Sequence, residues 1–146
     1  MVRDTGAGLT FEQWQEGVHA DIRNDVMWRM EAYRLSLFLS DLAWTDCDKL
    51  LADRRTREIA DQLCRATGKI SAQIAEGYSR TTAKDRVLFY AYALGSLRES
   101  RDWYFKSRHV FEPNVTDHRV ALCTSVIRLV LATIKNERRG RPRLDE

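Results

Sequence analysis

Residues 70–80 read ISAQIAEGYSR, and the way this stretch ends decides how the chain folds. Ile70 and Ile74 stand four apart, which puts them on one face of a helix. Gly77 is the residue type that most readily takes the left-handed conformation just past a helix end, so the spacing predicts a helix that stops there and a chain that turns. Glu76 then sits in the last helical turn, where the negative end of the helix dipole disfavours a carboxylate by roughly 0.3–1 kcal/mol at an exposed site. Arg80, four residues on, supplies a compensating charge, and Arg65 lies farther back on the same helix. Glu76 and Arg80 are therefore expected to pin the corner between two helices. The alternative is that Glu76 serves a ligand or a subunit contact.

Upstream, Ile59, Leu63, Ala66, Ile70 and Ile74 form a stripe at spacings of three and four, so this helix starts somewhere between residues 49 and 56. Downstream, Thr82 and Asp85 have the spacing of a helix cap, and a helix is expected over about 83–108. Its apolar residues, among them Val87, Leu88, Tyr92, Leu94, Leu97 and Trp103, wrap more than one face. Such a helix is central, or it meets another subunit. Gly95, which costs about 0.8–1 kcal/mol in mid-helix, stands beside Ser96 and marks a close approach by another backbone, within the chain or across subunits.

Two more helices flank this pair. One is expected over about 21–44, with Val26, Met30, Tyr33 and Leu37 on one face and a break at residues 46–48. The other follows the turn at Glu112, Pro113 and Asn114, is capped by Thr116, and runs to about 136. A capping box at Thr10 and Gln13 opens a short helix over about 11–19, and residues 1–9 read as a loose arm. Helices of about 20–28 residues span roughly 30–42 Å. Short connections make neighbours antiparallel, so the expected fold is all-α, an antiparallel up-down four-helix bundle. Its parts are an N-terminal arm (1–19), the bundle (20–136) and a mobile basic tail (137–146).

Composition supports a globular helical protein. A 44% hydrophobic content is too high for a disordered chain, and 2 prolines in 146 residues leave long helices uninterrupted. No apolar run approaches the ~18–20 residues of a membrane span. The start, MVRDTGAGLTFEQW, carries acids where a signal peptide needs an apolar core, so the cytoplasm is the expected location. Cys47, Cys64 and Cys123 are widely spaced and read as small buried hydrophobes. Of the 24 basic residues, Lys135, Arg138, Arg139, Arg141 and Arg143 cluster near the C-terminus, while the body is almost neutral. A nucleic-acid surface on such a body needs asymmetric placement or the assembly of several chains.

The stretch QLCRATGKISAQIAEGYSRTTAKDRVLFYAYALGSLRES, residues 62–100, resembles the signature of the 23S rRNA intervening-sequence protein family, small bacterial four-helix-bundle proteins. Gln62, Leu63, Arg65, Ala66, Ile74, Ala75, Glu76, Gly77, Arg80, Phe89, Ala93, Gly95, Ser96, Leu97 and Glu99 stand in matching places. The chain departs from the pattern at Gln73, where Asn is usual, and at Arg86, where Phe is usual. Ala72 occupies the region of a usual Pro. The resemblance implies a ring-shaped homopentamer. It also implies kinship with an accessory protein of diversity-generating retroelements, which forms a basic pentameric barrel and engages a reverse transcriptase and nucleic acid.

No catalytic constellation is evident. His19, His109 and His118 lack the spacing of a helical metal pair, and neither a cofactor nor a metal is expected. Glu99 and Asp102 lie beside Arg98 and Arg101 and read as a salt-bridged surface. The string Arg139-Gly140-Arg141-Pro142-Arg143 resembles an AT-hook core, an extended segment for the minor groove of AT-rich DNA; general phosphate attraction is the favoured reading over groove binding, and a merely soluble tail is the other alternative. The leading expectation is a non-enzymatic oligomer that associates with RNA or DNA through its assembled surface and basic tail. The alternative is a scaffold or accessory subunit for a nucleic-acid enzyme such as a reverse transcriptase. Under both, Arg65, Glu76, Gly77, Arg80, Gly95, Ser96 and Glu99 are structural or interface residues.

Overall fold

The computed structural model describes residues 9–143. The arm expected over residues 1–9 falls almost wholly outside them, as do the last three residues of the expected tail. Thr10 and Gln13 form the capping box that their spacing predicts, each side chain accepting from the other's backbone N–H, and open α1 (Phe11–Gln15). Two short pieces follow, α2 (Ala20–Arg23) and a 3-10 turn (Val26–Arg29) opened by Asp25. The helix expected over about 21–44 is therefore not one rod.

The long element is α3 (Glu31–Ala52), which runs straight through residues 46–48, where the sequence pattern predicts a break. The physical reason is that Asp46 faces inward. It is 5% exposed and accepts hydrogen bonds from Tyr104 (2.7 Å) and from both Nε (2.6 Å) and Nη2 (3.1 Å) of Arg119. A paired carboxylate is compatible with the core; an unpaired one is not.

A 3-10 turn (Arg54–Thr56), with Asp53 accepting from the Arg55 N–H, leads into α4 (Arg57–Tyr78). Its stripe is as read: Leu63, Ala66, Ile70 and Ile74 are buried and Ile59 is half-buried. Thr82 caps α5 (Ala83–Lys106) by accepting from the Asp85 N–H, as its spacing predicts. The last long helix is α6 (Pro113–Arg138). Pro113 suits a first helical position because it has no N–H to leave unbonded. Glu112 occupies the capping position and Thr116 lies inside the helix, so the expected Thr116 cap is replaced by one four residues earlier.

The described residues form an all-helical bundle. α4 packs against α3 and α5, α5 packs against α6, and α3 closes on α6. Arg86, early in α5, pairs with Glu137, late in α6; Asp46, late in α3, pairs with Arg119, early in α6. So α6 runs opposite to both. Leu39, Leu50, Leu63, Ile70, Ile74, Leu97 and Val126 are fully inaccessible and define the core. The N-terminal pieces are fastened to its outside: Trp14, Phe38 and Leu42 bury one another, and the Trp14 indole donates to Asp41 (2.7 Å).

Gly77 does not sit past a helix end. It is inside α4 and buried, and among the described residues only Gly140 has a positive φ. A β-carbon at Gly77 would lie 2.9 Å from Cβ of Phe89 and 3.0 Å from the Tyr90 ring. The glycine is required by the close approach of α5, not by a turn. Gly95 is the converse, since a β-carbon there would meet nothing within 4 Å. The close backbone approach within the chain that Gly95 suggests in sequence is not present.

Candidate nucleic-acid interface

Three segments meet at one end of the bundle: the end of α4, the start of α5, and the end of α6 with the residues beyond it. Ser79 caps α4, its N–H reaching the Ala75 and Gly77 carbonyls and its hydroxyl donating to Ala75 (2.8 Å). Arg80 Nη2 lies 3.5 Å from Glu76 Oε1, and its guanidinium sits over the Phe89 ring, 4.4 Å from the centroid. The expected Glu76–Arg80 pair thus spans the corner. With the two side chains 45% and 53% exposed, such a pair is worth no more than about 0–1 kcal/mol. Arg65 does not join it and pairs with Asp61 at 3.0 Å.

The corner is held more firmly by Arg86. Its Nε lies 2.7 Å from Glu137, with side chains only 11% and 9% exposed, and its Nη1 donates to the Arg80 carbonyl (3.1 Å). A residue that departs from the family pattern is therefore the one that ties α6 to the α4–α5 corner. Gln73, another departure, accepts from the Ser96 hydroxyl across α4 and α5 (2.8 Å). Glu99 accepts from the Trp103 indole (3.0 Å), and Asp102 pairs with Lys106 (2.7 Å) rather than with Arg98 or Arg101.

α6 ends in a Schellman turn. Gly140 has φ +66°, its N–H reaches the Glu137 carbonyl (3.1 Å), and the Arg141 N–H reaches the Asn136 carbonyl (3.1 Å). Glycine is favoured there because other residues strain at positive φ. The chain then doubles back: Arg143 donates to the Tyr78 carbonyl and stacks over the Tyr78 ring, 4.1 Å from its centroid. Residues 139–143, which the sequence reading places in a mobile tail, turn back onto the bundle in this structure. The helix-ending turn consumes Gly140, and Arg143 gains a carbonyl and an aromatic face at the end of α4. The bend also interrupts the extended Arg-Gly-Arg form that an AT-hook requires.

Beside the returning segment lies a half-open pocket of about 120 Å³, lined by Met30, Tyr78, Tyr90, Thr133, Arg141 and Pro142. Burial pushes the Tyr90 hydroxyl up to about 12, and the Glu137 carboxylate adds to the shift.

Around this end, Lys84, Lys135, Arg138, Arg139 and Arg141 are all exposed and have no ion-pair partner among the described residues. Lys84 and Arg138 line one shallow groove. The structure thus brings the tail cations together with Arg80 and Lys84, whose place in the patch the sequence reading missed. Cations near the C-terminal ends of α4 and α6 complement the partial negative charge there, and Lys84 and Arg80 flank the positive end of α5. The arrangement offers charge-assisted hydrogen bonds to phosphate oxygens.

The family model of the 23S rRNA-intervening sequence protein matches residues 29–131. The chain belongs to that family. The match spans α3, α4, α5 and most of α6, well beyond the signature at residues 62–100. A crystal structure of a protein of unknown function from the S23 ribosomal protein family of Bacteroides thetaiotaomicron has the same fold. Its TM-score is 0.67 at 17% identity, with 71% of this chain covered and 98% of that one. No curated protein matches. The match to the 23S rRNA-intervening sequence family stops before Lys135, so the basic end of α6 and the segment beyond it lie outside the matched residues.

Proposed function

We propose that this family member is a non-enzymatic, self-assembling bundle that associates with RNA or DNA through the basic end of α6 and the adjoining α4–α5 corner. The observation that carries the reading is the cluster of five exposed cations without acidic partners, drawn from α5, α6 and the returning segment. On a body of near-neutral charge, such local asymmetry is what phosphate binding needs. Self-association is supported by one face of α5, where Leu88 (47% exposed) and Tyr92 (49%) flank the open surface at Gly95. A ring of five is the assembly implied by the family resemblance. Among the described residues no helix is long and apolar enough to cross a membrane, and the cytoplasm, where RNA and DNA are accessible, is the proposed setting.

The test is fluorescence anisotropy on labelled duplex DNA and single-stranded RNA across a salt series. The parent chain is expected to bind with a steep salt dependence. The triple variant R138A/R139A/R141A should flatten the slope of log K against log salt by about 2–3, at roughly 0.7–0.9 for each phosphate no longer neutralised. Absence of salt-sensitive binding at low salt would overturn the proposal.

A second reading is favoured by exposed apolar side chains away from that end, Trp44 at 77% and Phe105 at 54%. They suit a protein partner, as in an accessory subunit for a nucleic-acid enzyme such as a reverse transcriptase. That reading gains if the chain binds no nucleic acid but co-purifies with such an enzyme through Trp44.

A further inference from the structure

Cys47 of α3 and Cys64 of α4 read in sequence as separate small hydrophobes. The fold places their sulfurs 2.8 Å apart, with both thiols reduced. Cys47 is 4% exposed and directs its S–H at the Ala60 carbonyl (3.3 Å), while Cys64 is only half-buried. Among the described residues no third His, Cys, Asp or Glu completes a metal-binding group with them. Cys123 is buried apart from the pair.

We propose that Cys47 and Cys64 are a redox-modification site that closes to an intramolecular disulfide by exchange with a low-molecular-weight disulfide such as oxidised glutathione. The less buried Cys64 thiolate attacks one sulfur of the oxidant, breaking its S–S bond and releasing one thiolate, which takes up a proton. Cys47 then loses its proton to solvent and attacks Cys64 Sγ in the mixed disulfide, forming the Cys47–Cys64 bond and expelling the second small thiol. Two protein thiols are oxidised and one small disulfide is reduced to two thiols, so electrons and protons balance. Burial, with the Cys64 hydrogen bond next, pushes the Cys47 thiol well above its ordinary range. Cys47 stays buried in the mixed disulfide, so the second step accelerates as pH rises.

The product joins α3 to α4 about 20 Å from the basic end, by the rise of either helix. It constrains the unfolded chain and so raises the melting temperature. The reaction is separable from nucleic-acid binding and does not depend on it.

The experiment incubates the folded full-length chain with oxidised glutathione, quenches with acid, and alkylates under denaturing conditions before intact-mass measurement. The expected product has lost two hydrogens, accepts a single alkyl group at Cys123, melts at higher temperature, and returns to three alkylatable thiols with dithiothreitol. Cys47→Ser is expected to stall as a glutathione adduct on Cys64, and Cys64→Ser to react with neither glutathione nor itself. Circular dichroism establishes that both variants are folded. Three free thiols after incubation, a persistent adduct on the parent chain, or a Cys64–Cys64 bond between chains would each overturn the proposal.

Discussion

Gly77 and Gly95 show how one residue type answers two different constraints. An alanine at position 77 forces its β-carbon to 2.9 Å from Cβ of Phe89 and 3.0 Å from the Tyr90 ring, against atoms that cannot swing aside cheaply. Gly77→Ala is expected to cost about 1–3 kcal/mol, read as a lower urea midpoint. Gly95→Ala meets nothing and removes a mid-helix glycine, so it is expected to stabilise the isolated chain by about 0.8–1 kcal/mol. A Gly95→Ala protein no more stable than the parent would mean that another backbone occupies that face. His118 makes stability depend on pH. Burial, then the Arg119 guanidinium, lowers its pKa from 6.5, while Asp46 opposes. As pH falls, the unfolded chain therefore binds this proton before the folded one does. The resulting penalty is absent well above 6.5 and grows as pH falls from 6.5 to the folded value. Urea unfolding between pH 7 and 5.5 should show a falling stability that flattens in His118→Gln; an unchanged slope would remove His118 as its source.

Between elements, the Arg86–Glu137 pair makes the sharpest claim. It joins α5 to α6 with both side chains almost inaccessible. Arg86→Ala leaves a buried carboxylate without its partner and is expected to cost about 3–5 kcal/mol, whereas R86F/E137L should recover most of that loss because an apolar pair of similar volume needs no desolvation. Thermal unfolding of the two variants side by side decides it. Arg86→Ala and the double variant melting alike would show the pair to be dispensable. The rods themselves are legible in the sequence: the stripes of α4 and α6 and the cap of α5 lie within one or two turns of the residues that make them, where periodicity is informative. The start of α3 is not, because apolar residues at 26, 30 and 33 keep a helical period across a 3-10 turn. Asp46 reads as a break because its partner Arg119 lies 73 positions away, beyond any local pattern. Gly77 reads as a turn residue for the same reason, since the side chains that require it belong to α5.

At the scale of the molecule, the tail cations are visible as a run of charge, but their setting is not. Lys84 joins them only because Arg86 and Glu137 bring α5 to the end of α6, and the Schellman turn at Gly140 converts an apparently extended string into a fold-back. Under the proposed assembly, several such patches act together. Leu88 and Tyr92 lie four apart on α5, one turn from Gly95, and together expose an apolar face that the 17.0 kDa chain does not cover. Light scattering at micromolar concentration is expected to return a multiple of the chain mass, and Leu88→Glu with Tyr92→Glu to return the single-chain mass with unchanged helicity. Because each chain carries one basic end, a closed assembly presents several at fixed separation, and effective concentration raises affinity without any further interaction. The assembly variant should therefore lose at least about tenfold in apparent affinity for long nucleic acid while keeping its affinity for a short fragment that one chain can cover. The R138A/R139A/R141A variant should stay assembled and lose both. If the parent chain scatters as a monomer, or if the assembly variant weakens long and short ligands alike, assembly and binding are not coupled through this geometry.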